Sequence, residues 1–537
     1  MAVIKKHIFN ISLLFILLAS GILCAYTLAH YQGSVTPAQN NNESRIQQQG
    51  ELNGTSDIPV QTTGNVSKIS GDADQISASQ FPGQDVSQST APSIGRGFEG
   101  IGSAGSKYAP YLLTYALLFL DVIIAAYYFM LRKKIKIDSG HENILMLALL
   151  GFGLLLRVAA ATLVDGQNDI NVFKGWASAA ANNFLQIYDG GWSIGYPPLY
   201  IYVLYLVGKI AAIPALSTYY MILLKLPSIM ADIATAYLIY RLARKYLSQE
   251  TSTLLSAFYA FNPAIFINST FWGQVDSIFT LIIIAAVSLL AEKRTYSAAA
   301  LFAAAVMMKP QGLIFLPVLF FELTRQKSLM SFMKAAAAAL TTTMVIILPF
   351  SYNKGVLWIY EHFSKTTSEN SYASVNAFNV FSLFNKNGVE DSAVLFGLSY
   401  YNWGMIFIVA VTIFMWFLYI RGQRREFAPF AALLLITGVF NMSTRMHERY
   451  LFPAVALTIL TYIYFRDKRL LLLSAGFSAT VYLNTHYVLF KVGGSYIYPY
   501  SPELIIISIL NVLFFIYLCK VSYDIAVTGK IKPYDAV

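Results

Sequence analysis

Apolar runs recur along most of this chain between polar stretches, many close to the length of one membrane crossing and several, such as 296–308 and 312–324, short for one. They fall near 8–30, 108–130, 143–164, 218–240, 253–270, 277–291, 296–308, 312–324, 330–350, 402–420, 427–443, 451–465, 470–490 and 503–519. The pattern predicts an all-α polytopic membrane protein of about 14 transmembrane helices. Residues 31–107 break it. They are rich in Ser, Gln, Asn and Gly and poor in aromatics, so they cannot bury enough apolar area to offset chain entropy. The expected organisation is a signal anchor or signal peptide over 1–30, a disordered external linker over 31–107, and a transmembrane domain over 108–537. The length of the first apolar run favours an anchor.

Charge orients the runs. Basic clusters at Arg132-Lys-Lys-Ile-Lys136, Arg241-Leu-Ala-Arg244-Lys245, Arg421-Gly-Gln-Arg424-Arg425 and Arg466-Asp-Lys468-Arg469 mark cytoplasmic links. One segment conflicts with this threading. Residues 198–214 are apolar enough for a short span, but a crossing there would put Arg241, Arg244 and Lys245 outside. The expectation is an amphipathic or re-entrant helix at the outer interface, bounded by prolines.

Composition supports the membrane assignment. The chain is 56% hydrophobic and 12% charged, with mean hydropathy +0.54; a soluble domain carries about 25% charge. The net charge of +10 resides in the links between spans, so it is no sign of nucleic-acid binding. Two cysteines, Cys24 and Cys519, lie in opposite terminal spans and imply neither a disulfide framework nor a Cys-based metal site.

Threaded this way, four polar clusters emerge on the same, outer face. Asp165-Gly-Gln-Asn-Asp169 follows a span that carries Arg157, a charge that must face protein or a watery cavity. Asp169 can accept a proton from a substrate hydroxyl or can begin a helix; Asp165 is a lesser candidate of the same kind. Trp272-Gly-Gln274-Val-Asp276-Ser277 places an acid and an amide between two apolar spans, where an unpaired carboxylate is costly. Lys309 and Gln311 stand at the next tip. Arg445, His447 and Arg449 form a basic group beside Glu448. Together these cations suit a phosphate clamp, or else interfacial anchoring. His447-Glu448 lacks the His-Glu-x-x-His spacing of a zinc site.

Read in order, the stretches Asp169-Ile-x-x-Phe173-x-x-Trp176-Ala, Tyr196-Pro-Pro-Leu-Tyr, Lys225-Leu-Pro with Asp232, Asn262-Pro-Ala, Trp272-Gly-Gln-Val-Asp-Ser, Met308-Lys-Pro-Gln and Met446-His-Glu-Arg-Tyr-Leu-Phe-Pro453 carry a resemblance. The chain resembles the GT-C superfamily of integral-membrane glycosyltransferases over roughly 143–470. Within it, the match is nearest to prokaryotic proteins related to the mannosyltransferase that adds the second mannose of GPI anchors. The resemblance implies a GT-C-like bundle with interfacial helices in the first catalytic loop and an Asp base there, matching Asp169. It implies a polyprenyl-phosphate sugar donor and a glycan, lipid or protein acceptor.

The expected reaction is inverting transfer of a hexose, with mannose as one candidate, on the extracytoplasmic face of the cell membrane. Asp169 takes the acceptor proton, with Asp165 and Asp276 as the other catalytic candidates. Lys309, Gln311, Arg445, His447 and Arg449 are expected at the donor phosphate. Arg157, Trp176, Tyr196, Trp272 and Gln274 are expected to contact substrate. No cofactor or metal is required by a monophosphate donor, although a divalent ion between Asp169 and Asp276 is compatible with the sequence. Two other readings fit less closely. One is a glycan transferase using a lipid diphosphate and Mg²⁺ or Mn²⁺. The other is a lipid-sugar transporter or flippase, which would place its polar groups near the midplane within repeats.

Overall fold

The computed structural model describes residues 2–33, 107–133, 142–165, 168–189, 193–492 and 497–533. The linker expected over 31–107 therefore lies almost wholly outside the described residues, as do positions 134–136 of the first basic cluster. Helices α1 (Ala2–Ala29), α2 (Ala109–Lys133) and α3 (Glu142–Ala161) come first, and α1 packs along α3, where Gly151 makes room for Leu17. Next are α4 (Asn168–Asn182), α5 (Pro198–Ala211) and the long α6 (Tyr220–Ala243). The stretch 198–214 is thus a helix of 14 residues, roughly 20 Å long. It packs on α4 so closely that a Cβ on Gly208 would come within 2.2 Å of the Ala177 carbonyl oxygen. A glycine is the residue that allows this approach.

The run expected as one span over 253–270 is broken. Helix α7 (Gln249–Ala260) stops before Asn262-Pro263, because proline has no N–H to continue the ladder. Asn262 caps the short α8 (Pro263–Phe266), its side chain accepting from the Ala264 amide at 3.0 Å. A single π-helical turn, Ile267–Trp272, follows and ends on Gly273 in the left-handed region, φ +78°. Helices α9 (Asp276–Ala291) and α10 (Thr295–Met308) form an antiparallel pair. A 3₁₀ turn (Pro310–Phe315) then leads into α11 (Leu316–Gln326) and α12 (Leu329–Ile347).

The large loop after 350 is structured. It holds the amphipathic α13 (Trp358–Ser368), the short α14 (Val380–Leu383) and a hairpin of β1 (Val394–Leu395) and β2 (Leu398–Ser399). Asparagines fix it to the bundle: Asn484 Nδ2 donates to the Asn376 carbonyl at 2.9 Å, and Asn511 Nδ2 to that of Phe378 at 2.8 Å. The chain ends with α15 (Tyr400–Gly422), α16 (Phe427–Met442), α17 (Pro453–Phe465), α18 (Lys468–Lys491) and α19 (Pro502–Ala526).

Helices α16 and α17 are apolar on every side, and a helix of that kind belongs inside a bundle or in lipid. Here both are buried along nearly their whole length and form the core around which α9, α15, α18 and α19 pack. Among the described residues, seven helices are long and apolar enough to cross a bilayer, against about 14 expected: α1, α2, α3, α6, α12, α15 and α19. Five further apolar helices, α5, α9, α10, α16 and α17, are shorter. Helix α18 falls outside both groups because it buries polar residues, among them Ser478, Asn484 and His486, which bond Asn262, the Asn376–Phe378 backbone and the Ala109 carbonyl. Within the spans, Arg157 Nε of α3 is 3.4 Å from Asp232 Oδ2 of α6, both fully buried.

Candidate active site

Three breaks in helical structure bring the polar clusters together. Asp169 and Asp276 each sit in the first turn of a helix, α4 and α9, where unpaired amides favour a negative side chain. The left-handed Gly273 turns the chain between the π turn and α9. A Cβ there would meet Ile170 Cδ1 at 2.7 Å, so the α4 start and this turn are in direct contact. Lys309 is extended (φ −155°, ψ 136°), as a residue before proline must be, and so its side chain leaves the axis of α10.

The resulting geometry is a chain of charges. Gln274 Nε2 donates to Asp169 Oδ2 at 2.6 Å. Lys309 Nζ donates to Asp276 Oδ1 at 2.5 Å, and Asn268 Nδ2, from the π turn, to Asp276 Oδ2 at 3.3 Å. Arg449 joins all three acids. Its guanidinium bonds Glu448 at 2.5 Å and lies 3.8 Å from Asp276 and 3.9 Å from Asp169. It also faces the Trp272 ring, 5.6 Å from the centroid. Lys309 stands over the Tyr450 ring at 4.7 Å, and Gln311 Nε2 donates to the Tyr450 carbonyl at 2.7 Å. Three carboxylates thus meet two cations, an excess of one negative charge.

Exposure separates the three acids. The Asp169 side chain is 44% exposed, while those of Asp276 and Glu448 are 0% and 3% exposed. Burial pushes the Glu448 carboxyl above the usual carboxylate range. Burial, with Arg449 and Lys309 nearby, holds the His447 imidazole well below its ordinary value and therefore neutral. Among the described residues, Trp272 Nε1, Gln274 Oε1 and Arg449 Nε are buried without a hydrogen-bond partner. Such atoms call for an explanation, and a polar substrate is one.

The aromatic candidates form a wall beside this cluster. Tyr196 packs on Phe173, Trp176 and Tyr200 with ring centroids 5.3–5.9 Å apart, and lies within electrostatic reach of Arg449 and Asp276. His362 of α13 and Tyr188 both contact the Tyr196 carbonyl, at 3.2 and 2.8 Å.

Three sequence candidates lie elsewhere. Arg445 (φ +62°) turns away: Nε donates to Asp391 at 2.6 Å and Nη1 to the Thr367 carbonyl at 2.9 Å, so it fastens the 351–400 loop. Asp165 accepts from the Tyr31 hydroxyl at 2.7 Å, outside the cluster. Arg157 faces Asp232 in the spans, with Phe266 at 5.4 Å. Glu448, Asn268 and Tyr450 join the cluster although the sequence pattern did not single them out as site residues. Glu448 and Tyr450 were visible inside the His-Glu-Arg-Tyr stretch. Asn268 was hidden, because nothing in its sequence context announces a π turn.

A wholly buried acid held by two cations next to a half-exposed one is an arrangement suited to a bound polar molecule. No curated protein matches the chain. The family model of Glycosyltransferase family 87 matches residues 194–444, a stretch that contains Trp272, Gln274, Asp276, Lys309 and Gln311 and lies between Asp169 and Arg449. The protein is a glycosyltransferase.

Proposed function

We propose that the enzyme transfers a hexose from a polyprenyl-phosphate donor to an acceptor hydroxyl at the extracytoplasmic face, with inversion and with Asp169 as general base. The observation that carries this reading is the exposure of Asp169 against the burial of its two neighbours. A base must reach its substrate, and Asp169 is the acid of the three that can. Gln274 holds one of its oxygens, which fixes the aim of the carboxylate.

In the step itself, the acceptor O–H gives its proton to Asp169. Its oxygen bonds to the anomeric carbon, and the bond from that carbon to the phosphate oxygen breaks on the opposite face. The leaving phosphate keeps the electron pair. Arg449 is the cation placed to receive that charge, because its Nε is buried without a hydrogen-bond partner while the guanidinium faces the half-exposed Asp169. Lys309 stands behind, neutralising Asp276. Trp272 Nε1 and Gln274 Oε1 are available to sugar or acceptor hydroxyls. Resemblance to GPI-type mannosyltransferases makes mannose the first hexose to test. Arg445 has no part in this scheme.

The excess negative charge of the cluster favours a second reading, in which a divalent cation arrives with the donor phosphate and engages Asp169. Among the described residues no three His, Cys, Asp or Glu side chains converge to hold a metal by themselves, so the donor would have to supply ligands.

The test is sugar transfer by purified enzyme from polyprenyl-phosphate hexoses, with and without chelator. Asp169→Asn keeps the shape and the Gln274 contact but cannot take a proton, so a loss on the order of 10²–10⁴ in kcat is expected. An active Asp169→Asn enzyme would refute the assignment of the base. Abolition of wild-type activity by chelator would favour the second reading.

A further inference from the structure

The first 33 residues precede the family match, yet they touch the turn that leads to Asp169. The Tyr31 hydroxyl donates to Asp165 Oδ1 at 2.7 Å, and its ring stacks on Tyr219 with centroids 6.1 Å apart. Two residues later Gly33 takes φ +54° and lies so near Thr218 that a Cβ would come within 2.7 Å of the Thr218 carbonyl oxygen. Left-handed backbone and close approach both call for glycine there. Tyr31 emerges directly from α1, which packs along α3. From the other side, Lys225 of α6 donates to the Val164 carbonyl and, at 3.3 Å, to that of Ala161, satisfying carbonyls at the end of α3. Asp165 is therefore held between an N-terminal segment and α6, four residues before Asp169.

We infer that α1 stays in the working enzyme and that Tyr31 is a positioning residue. Through Asp165 it fixes the chain where it leaves α3, four residues before Asp169, and with it the aim of the Asp169 carboxylate at Gln274 and Arg449. A leader removed after targeting would take both the Tyr31 hydroxyl and the Gly33 contact with it. The effect on turnover rests on the reading of Asp169 as base; retention of α1 and the ordering of the turn do not.

Three measurements on the full-length enzyme test this. Intact mass of protein purified from membranes should show that residues 1–33 are present. Tyr31→Phe should speed amide hydrogen exchange over 161–170 while the rest of the chain exchanges as before. It should also lower kcat roughly 10-fold with the donor KM unchanged, because small misplacements of a reacting group can cost up to about 10²-fold. Asp165→Ala should match it, the double variant should be no worse than either single one, and Asp165→Asn, which still accepts from a hydroxyl, should behave almost as wild type. A mature chain that lacks residues 1–30 and is fully active would overturn the inference. So would unchanged exchange in Tyr31→Phe, or a raised KM with kcat intact. If the wild type transfers no sugar from any polyprenyl phosphate, the proposed function falls, while mass and exchange still decide the role of α1 and Tyr31.

Discussion

Asp276→Asn should destabilise the protein more than Lys309→Met, although both break the same ion pair. The asymmetry follows from what each change leaves behind. Lys309→Met leaves a buried carboxylate that keeps Asn268 at 3.3 Å and the Arg449 guanidinium at 3.8 Å. By inverse distance, Arg449 supplies roughly two-thirds of the attraction that Lys309 gave at 2.5 Å. The expected loss is about 1–2 kcal/mol. Asp276→Asn leaves a buried ammonium without the carboxylate it bonds. The Tyr450 ring at 4.7 Å offsets only about 0.5–2 kcal/mol of that. Removing one partner of a buried pair costs about 3–5 kcal/mol, and this case belongs at that end. Asp276→Asn combined with Lys309→Met removes both charges and should fall no lower than Asp276→Asn alone. Thermal unfolding in detergent, followed with a thiol-reactive dye at the buried Cys24 and half-buried Cys519, reads all three. Midpoint shifts will be small in a chain this long, below ~2 °C per kcal/mol. A midpoint lower for Lys309→Met than for Asp276→Asn would refute the argument, as would a double variant less stable than both.

Arg449→Ala should weaken transition-state stabilisation by about 2–4 kcal/mol, read as kcat/KM, and Arg449→Lys should recover only part because a point charge cannot span three carboxylates. Near-normal turnover in both would exclude Arg449 from the site. Gly273→Ala should cost about 1–3 kcal/mol in stability, since φ +78° is strained for alanine and its Cβ meets Ile170; kcat should fall with it as Gln274 moves, measured by unfolding midpoint and turnover together. His447 should make stability pH-dependent. Its folded pKa is depressed, so the unfolded chain binds the extra proton first: the neutral imidazole adds no penalty above about pH 6.5, and stability drops as pH falls from there towards the lower folded value. His447→Gln should flatten the unfolding midpoint across that window, and an unchanged slope would remove His447 as its cause.

Much of the candidate cluster was legible in the chain because its parts are helix ends. Asp169, Asp276 and Lys309 stand where apolar runs stop, and a charge at such a boundary is expensive unless it has a partner or a task. Pairing was harder to see. Lys309 and Asp276 were read as separate tips, and nothing in either run announces that α9 and α10 bring them within 2.5 Å. Arg445 and Arg449 look alike in sequence, both basic and four residues apart. The left-handed backbone at Arg445 sends one to Asp391 and leaves the other at the acids, and a single dihedral of that kind leaves no trace in composition. Among the described residues, fewer helices have the length and hydropathy of a lone span than the apolar runs suggested. Helix α18 carries Ser, Thr, Asn and His inside the bundle, and the shorter α16 and α17 are buried in protein along nearly their whole length. Hydropathy reads transfer to hydrocarbon and cannot distinguish those environments.

The pairing of Arg157 with Asp232 sets a constraint on how the chain is made. Arg157 lies four residues before the end of α3, and a charge within a span is costly until it finds a partner. Helix α3 leaves the ribosome first and must carry its arginine unmatched while α4 and α5 are still being synthesised. Helix α6 arrives with the compensating carboxylate, together with Lys225, the residue that closes the carbonyls at the end of α3. The two helices are therefore stable in the bilayer as a couple, and the 50-odd residues between them, Asp169 included, are synthesised while that couple is incomplete. The order of synthesis thus makes the anchorage of the Asp169 segment one of the first long-range contacts the nascent protein completes.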